Sequence, residues 1–298
     1  MARSQGVNRR TFSAALAAGV ASSLVPFRIA RAQAQKLKVG VILPRSGILG
    51  LIGQSCQKGA DLAPGVIKEM LGVDIELMSA DFESNVDTAR TRAERLIQDG
   101  AHVLVGPFDS GAATAIAQVA EQRGVPLVIN IAAAPQITEQ GYRFVFRNFQ
   151  TAGEIVKNGL DLIGELFQAS HTTPSTAVYM HVNDTFGQAM TKALTAMLPS
   201  RTQLGFKIVD EIGYDPGAKD LTVEVSRAKA TKADILLLVC RLNDAVMLRR
   251  EMVKQRWSPM GIISPGSPGM YEEQYFKALG KLSEHSISNV PWYNPNAN

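Results

Sequence analysis

The sequence predicts an α/β protein of two lobes, each doubly wound with helices on both faces of a central parallel sheet. Three observations carry that expectation. Short apolar, β-branched runs such as KVGVIL at 38–43 suit strands buried on both faces. Amphipathic stretches of about 10 to 15 residues separate those runs, which is the signature of βαβ units. The alternation also occurs as two series, one before and one after Thr151. The composition agrees, with 298 residues, 46% hydrophobic and 19% charged, and a mean hydropathy of +0.01. That profile excludes a disordered chain, a collagen-like repeat and a small disulfide scaffold, and its length suits one large or two medium domains.

In the first series, strands are expected at 37–43, 74–81, 101–105, 126–129 and 142–147. Helices are expected at 53–69, at 87–98 (ending at Gly100) and at 110–122. The second series gives helices at 152–167, 186–198, 221–230, 244–254 and 271–278. Its strands fall at 176–181, 207–212, 235–239 and 261–263. Right-handed crossovers then cover each sheet on both sides. No tandem repeat shorter than a lobe occurs, so a solenoid is excluded. The first lobe is expected over 36–150 and the second over 151–290.

Residues 1–32 read as an export signal. Asn8-Arg9-Arg10-Thr11-Phe12 precedes an apolar run at 13–25, and Ala30-Arg31-Ala32 offers small residues around a cleavable bond. The run is shorter than the roughly 18 to 20 apolar residues that cross a bilayer. The paired arginines resemble a twin-arginine signal; an ordinary secretory signal is the alternative. Either route takes the mature chain out of the cytoplasm. The formal charge of +4 comes from this leader, because five of the 31 basic residues lie in it with no acid beside them. That leaves 26 basic against 27 acidic residues. A neutral body gives no support to nucleic-acid binding.

Few motifs carry chemistry. Cys56 and Cys240 are far apart in sequence and read as buried free thiols, and His102, His171, His181 and His285 show no metal-ligand spacing. Neither a metal nor a cofactor is expected. Gly47, Gly50 and Gly53 have the wrong spacing for a dinucleotide fingerprint, with Asp81 too distant to serve it. Ser55-Cys56-Gln57-Lys58 matches S-x-x-K, but S-D-N and K-T-G are lacking, as is G-x-S-x-G, so no catalytic residues are assigned. In an open parallel sheet, ligands bind beyond the carboxyl ends of the strands. The loops at 44–53, 106–111, 130–135, 183–187, 240–244 and 264–269 are therefore the candidate site. Within Gly106-Pro107-Phe108-Asp109-Ser110-Gly111, the helix start and the Ser110 hydroxyl suit an anion; the alternative is that Ser110 or Asp109 only caps its own helix.

A set of fragments occurs in a recognisable order. It includes Lys38-Val39-Gly40-Val41-Ile42-Leu43-Pro44, Glu94-Arg95-Leu96-Ile97, Val105-Gly106-Pro107-Phe108, Thr138-Glu139-Gln140-Gly141-Tyr142, Phe144-Val145-Phe146-Arg147, Asp184-Thr185-Phe186-Gly187-Gln188 and Ala278-Leu279-Gly280. Together they resemble the periplasmic solute-binding proteins of branched-chain amino-acid ABC transporters, the Leu/Ile/Val-binding type with the type I periplasmic-binding fold. The resemblance runs from about residue 37 to 292. It implies two lobes joined by three hinge strands and closing on a small ligand, periplasmic localisation, and delivery to ABC permease membrane subunits. Family members continue well beyond 289–298, so the chain reads as C-terminally truncated, with 291–298 the start of a return segment to the first lobe. An incomplete lobe would expose helix-facing apolar surface.

The resemblance also implies site residues. Ser110, with Gly111 beside it, stands where the family binds the ligand carboxylate, and Phe186 stands where an aromatic covers the ligand. The family's A-A-T becomes Ile131-Ala132-Ala133, which lacks the hydroxyl. Gly266 takes the place of the acid that meets the ammonium, while Arg241 and Ile52 replace two aromatics. Losing the threonine and the acid removes the acceptors that a desolvated ammonium needs. Arg241 adds a fork suited to a carboxylate, and Ile52, Phe108, Ile131 and Phe186 add apolar walls. The expected ligand is a small carboxylate, aromatic acids included. The alternatives are a branched-chain amino acid, a ligand-sensing receptor of the same fold, and an Arg241 that only pairs with Asp244 or lies on a solvated rim.

Overall fold

The computed structural model describes residues 36–291. The export signal expected at 1–32 and residues 292–298 of the return segment lie outside the described residues. Strands β1 (Leu37–Leu43), β2 (Ile75–Asp81), β3 (Val103–Val105), β4 (Leu127–Ile129) and β5 (Val145–Arg147) form one parallel sheet in the order β2-β1-β3-β4-β5. Helices α1 (Gly50–Leu71), α2 (Val86–Gln98) and α3 (Ser110–Arg123) connect them. The second sheet has the order β10-β9-β8-β6-β7. It is built from β6 (Thr176–Val182), β7 (Lys207–Tyr214), β8 (Ile235–Val239), β9 (Gly261–Ser264) and β10 (Ser286–Ser288), again all parallel. Helices α4 (Ala152–Ser170), α5 (Thr185–Met197), α6 (Thr222–Ala230), α7 (Leu242–Lys254) and α8 (Glu273–Leu279) belong to this half.

Each lobe's core follows from its strand sequence. The run ILLLV of β8 is buried throughout, and each such side chain contributes about 1.5–3 kcal/mol on leaving water. In the first lobe, Ile42, Leu104, Leu127 and Ile129 pack against the alanine-rich faces of α2 and α3. Helix starts are capped as their sequences suggest. Thr151 and Glu154 form a reciprocal capping box at α4, and Asp109 and Asp184 are the N-caps of α3 and α5.

Several element bounds differ from the expected ones, and one strand is additional. The strand expected at 142–147 begins only at Val145, because the amides of Arg143 and Phe144 both donate to Glu121 Oε2 at 2.9 Å. The helix expected from 271 begins at Glu273, since Pro268–Met270 first makes a 3-10 turn. The first helix starts a turn earlier than expected, at Gly50. Strand β10 was not expected; it adds an edge strand beside β9, with Ile287 opposite Ile263.

Candidate functional site

The carboxyl ends of both sheets feed one cleft. A cavity of about 50 Å³ lies in it, with Phe108, Ile131 and Ala133 on the first-lobe side. Phe186, Arg241, Gly266 and Tyr271 form the second-lobe side, and Phe149 and Pro291 come from the crossing segments. A neighbouring cavity of about 250 Å³ also touches Arg241 and reaches Ile52 at the start of α1. Arg241 stands between them.

Arg241 is 7% exposed, and its charge is met from both lobes. Nη1 donates to Asp184 Oδ2 within the second lobe, and Nη2 donates to Asp109 Oδ2 of the first at 3.3 Å. The guanidinium carbon lies 5.3 Å from the centre of the Phe186 ring, a cation–π distance. The Arg241 amide donates to both oxygens of Asp244 at 3.0 Å, and the Tyr214 hydroxyl donates to Asp244 Oδ2 at 2.6 Å. Burial pushes the Asp109 carboxyl above its ordinary range, although Arg241 and the Ala112 amide pull it down. Burial works against the Arg241 charge, but Asp184 and Asp109 outweigh it and hold the guanidinium above its ordinary value. Two carboxyl groups thus flank the guanidinium, and a third holds the backbone amide of the same residue.

The loop after β4 is held rigidly. Arg147 donates to the carbonyls of Ala132 and Ala134 and to Thr138 Oγ1, while the Ala133 carbonyl accepts the Ala152 amide at 2.8 Å. Ser110 is fully buried, and its Oγ accepts the Ala134 amide at 3.3 Å. Two glycines fix the second-lobe wall. A Cβ on Gly187 would sit 1.7 Å from the Val182 carbonyl, so α5 starts hard against the end of β6. Gly266 has φ +137, and a Cβ there would lie 2.3 Å from Ile155 Cγ2. An acid at 266 is therefore barred by backbone and space alike.

Of the expected site residues, Phe108, Ile131, Ala133, Phe186, Arg241 and Gly266 line the one cavity, and Ile52 lines the neighbouring one. Ser110, Gly111 and Ala132 line neither. The Ser110 hydroxyl serves the loop, Ala132 is fully buried, and Gly111 packs near Thr185 across the cleft. Arg241 needs a correction: its fork is occupied by Asp109 and Asp184, and Asp244 takes only its backbone amide. Sequence reasoning missed Phe149, Tyr271 and the second role of both aspartates. Each aspartate reads locally as a cap, which it also is. Cys240 is buried, but Cys56 only partly so; burial and then Glu272 across the cleft push the Cys56 thiol up to about 11. Among the described residues, no cluster of three or more His, Cys, Asp or Glu could hold a metal, and no helix is long and apolar enough to cross a membrane.

Two parallel-sheet lobes meeting at a lined cavity define a two-lobed binding protein. The family described as "Periplasmic binding protein" matches residues 36–298, and the chain belongs to that family. A curated relative, the Leu/Ile/Val-binding protein homolog 8 of Brucella suis biovar 1 (strain 1330), is 26% identical over 268 residues, covering 83% of this chain and 62% of the relative. The chain thus spans about three-fifths of the length of the curated relatives it matches. Among solved structures, the branched-chain amino acid transporter substrate binding protein LivJ of Streptococcus pneumoniae, in complex with isoleucine, superposes with TM-score 0.71. It is 21% identical, covering 85% of this chain and 70% of that one. An ABC transporter solute binding protein of R. palustris, in complex with benzoate, superposes with TM-score 0.66. It is 22% identical, covering 77% and 62%. At these identities the superpositions establish the fold.

Proposed function

We propose that the chain is the solute-binding component of an ABC importer, acting outside the cytoplasm. It takes a small carboxylate with an apolar or aromatic body between its lobes and delivers it to the membrane permease without making or breaking bonds. The observation that carries this reading is the inter-lobe cavity. Its wall combines the rings of Phe108, Phe149, Phe186 and Tyr271 with the buried guanidinium of Arg241. Apolar walls bind the body of a ligand, and its acid pairs with the guanidinium in place of Asp109, the partner held at the longer distance of 3.3 Å. Support also comes from a structural neighbour whose complex holds benzoate.

A second reading, an α-amino acid ligand, is favoured by one observation. Asp109 and Asp184 bring carboxylates to Arg241, and a carboxylate accepts from an ammonium. Calorimetric titration separates the two. The carboxylate reading expects benzoate, 4-hydroxybenzoate or isovalerate to bind, with leucine and isoleucine giving no heat. Leucine binding with no response to the acids contradicts it.

A further inference from the structure

Asp109 and Asp184 share one design. Each caps a helix with Oδ1, accepting Ala112 N–H at 2.7 Å or Gly187 N–H at 2.9 Å, and each turns Oδ2 to Arg241. They differ in which lobe they ride on. Asp184 and Arg241 belong to the second lobe, whereas Asp109 caps the last helix of the first lobe's βα series. The cavity beside them, about 50 Å³, is well below the roughly 150 Å³ that holds a benzene-sized molecule. A ring does not fit that cavity as it stands; were the lobes to part, Asp109 Oδ2 would leave Nη2 while Asp184 stayed on Nη1.

We propose that Asp109 is a built-in competitor for the ligand. In the closed cleft it occupies the face of Arg241 that a ligand carboxylate takes, so binding is an exchange of one carboxylate for another at Nη2. This rests on the carboxylate reading and adds a specificity-determining residue to it. Arg241 keeps an anionic partner in both states, as a buried guanidinium requires. The displaced Asp109 then stays near the incoming anion and repels it, which weakens acids as a class. Only a carboxylate with enough apolar body to fill the cavity outcompetes it. Asp109 thereby acts against small hydrophilic anions, a selection by repulsion as well as by contact.

The test uses Asp109→Asn in the full chain. Asparagine caps helices as well as aspartate does, so the Ala112 bond survives, while the charge and the Oδ2 acceptor that faces Nη2 are both removed. Asp109→Ser, another good cap, serves if the first variant folds poorly. Asp215→Asn is the control for charge alone, since Asp215 lines the neighbouring cavity and its Oδ1 accepts the Gly217 amide at 2.6 Å. The expected result is about tenfold tighter binding of benzoate to Asp109→Asn, equivalent to about 1.4 kcal/mol, with little change in Asp215→Asn. Without ligand, small-angle scattering is expected to show a longer maximum dimension for Asp109→Asn, because one cross-lobe contact has gone. Equal tightening in both variants would mean a general charge effect and overturn the exchange. Unchanged or weaker benzoate binding in Asp109→Asn, with the wild type binding benzoate, overturns the inference and leaves the carboxylate reading standing. No binding of benzoate, 4-hydroxybenzoate or isovalerate by either protein fails that reading, and the inference with it.

Discussion

Arg241 has to remain charged while 7% exposed, and that requirement explains what surrounds it. A buried guanidinium without partners is untenable, so the chain supplies Asp184 from its own lobe and Asp109 from the other. Removing the cation reverses the problem. Arg241→Ala leaves Asp109 and Asp184 without their cation, and we expect a loss of about 3 to 5 kcal/mol, read from urea unfolding at neutral pH. Arg241→Lys should recover part of that loss but not the two-sided contact, because an ammonium lacks the planar fork. Arg241 itself was legible in the sequence as a cation on a strand-end loop. Its partners were not, because they lie 57 and 132 residues away and each aspartate already has a local reason to exist. Gly266 is the converse case. Its lack of a side chain was legible, but the reason, a positive φ against Ile155, needed the fold.

At the scale of elements, Asp234 shows how strand starts are tied together. Its Oδ2 accepts the amides of Ser175 and Thr176 at 2.8 and 3.0 Å and the Thr176 hydroxyl at 3.0 Å. Its own amide donates to Thr176 Oγ1 at 3.1 Å, and its carbonyl accepts the Met260 amide at 2.7 Å. One residue thus aligns the entries of β6, β8 and β9. The Ser175 amide first, then that of Thr176, holds the Asp234 carboxyl below the usual carboxylate range. A carboxyl with a depressed folded pKa stabilises fully above its unfolded value, about 3.9, and loses that contribution as pH falls through the folded value. Asp234→Asn should therefore be less stable than wild type at pH 7, and its urea midpoint should fall less between pH 5 and pH 3. Parallel slopes over that window would contradict the assignment. Most elements could be read in advance because β-branched runs and helical periods are long enough to show a pattern. Strand β10, with the sequence SIS, is too short to show one. The entry of β5 is shortened by Glu121, whose carboxylate replaces a strand neighbour.

At the scale of the whole molecule, the lobes meet through few polar contacts. Arg241 reaches Asp109, and Asn243 Nδ2 donates to the Ile48 carbonyl at 2.8 Å. The rule that ligands gather at strand carboxyl ends located this cleft from sequence, because it depends on topology alone. The closure of the cavity depends on side chains from both lobes and could not be read that way. Val103, Val105, Val128 and Phe146 share the α1 side, where Phe146 is 52% exposed and Leu62 and Met70 of α1 are 69% and 74% exposed. Parallel sheets are ordinarily covered on both faces, and among the described residues this one carries α2 and α3 on one side and α1 on the other. The central claim, that a small acid is gripped between the lobes at Arg241, is tested most directly by nitrogen NMR of the arginine side chains during titration with benzoate, with the Arg241 signal assigned by its loss in Arg241→Lys. The account predicts that this resonance shifts in proportion to the bound fraction while the Arg147 signal stays nearly still. Benzoate or leucine binding that leaves the Arg241 resonance unmoved would contradict it.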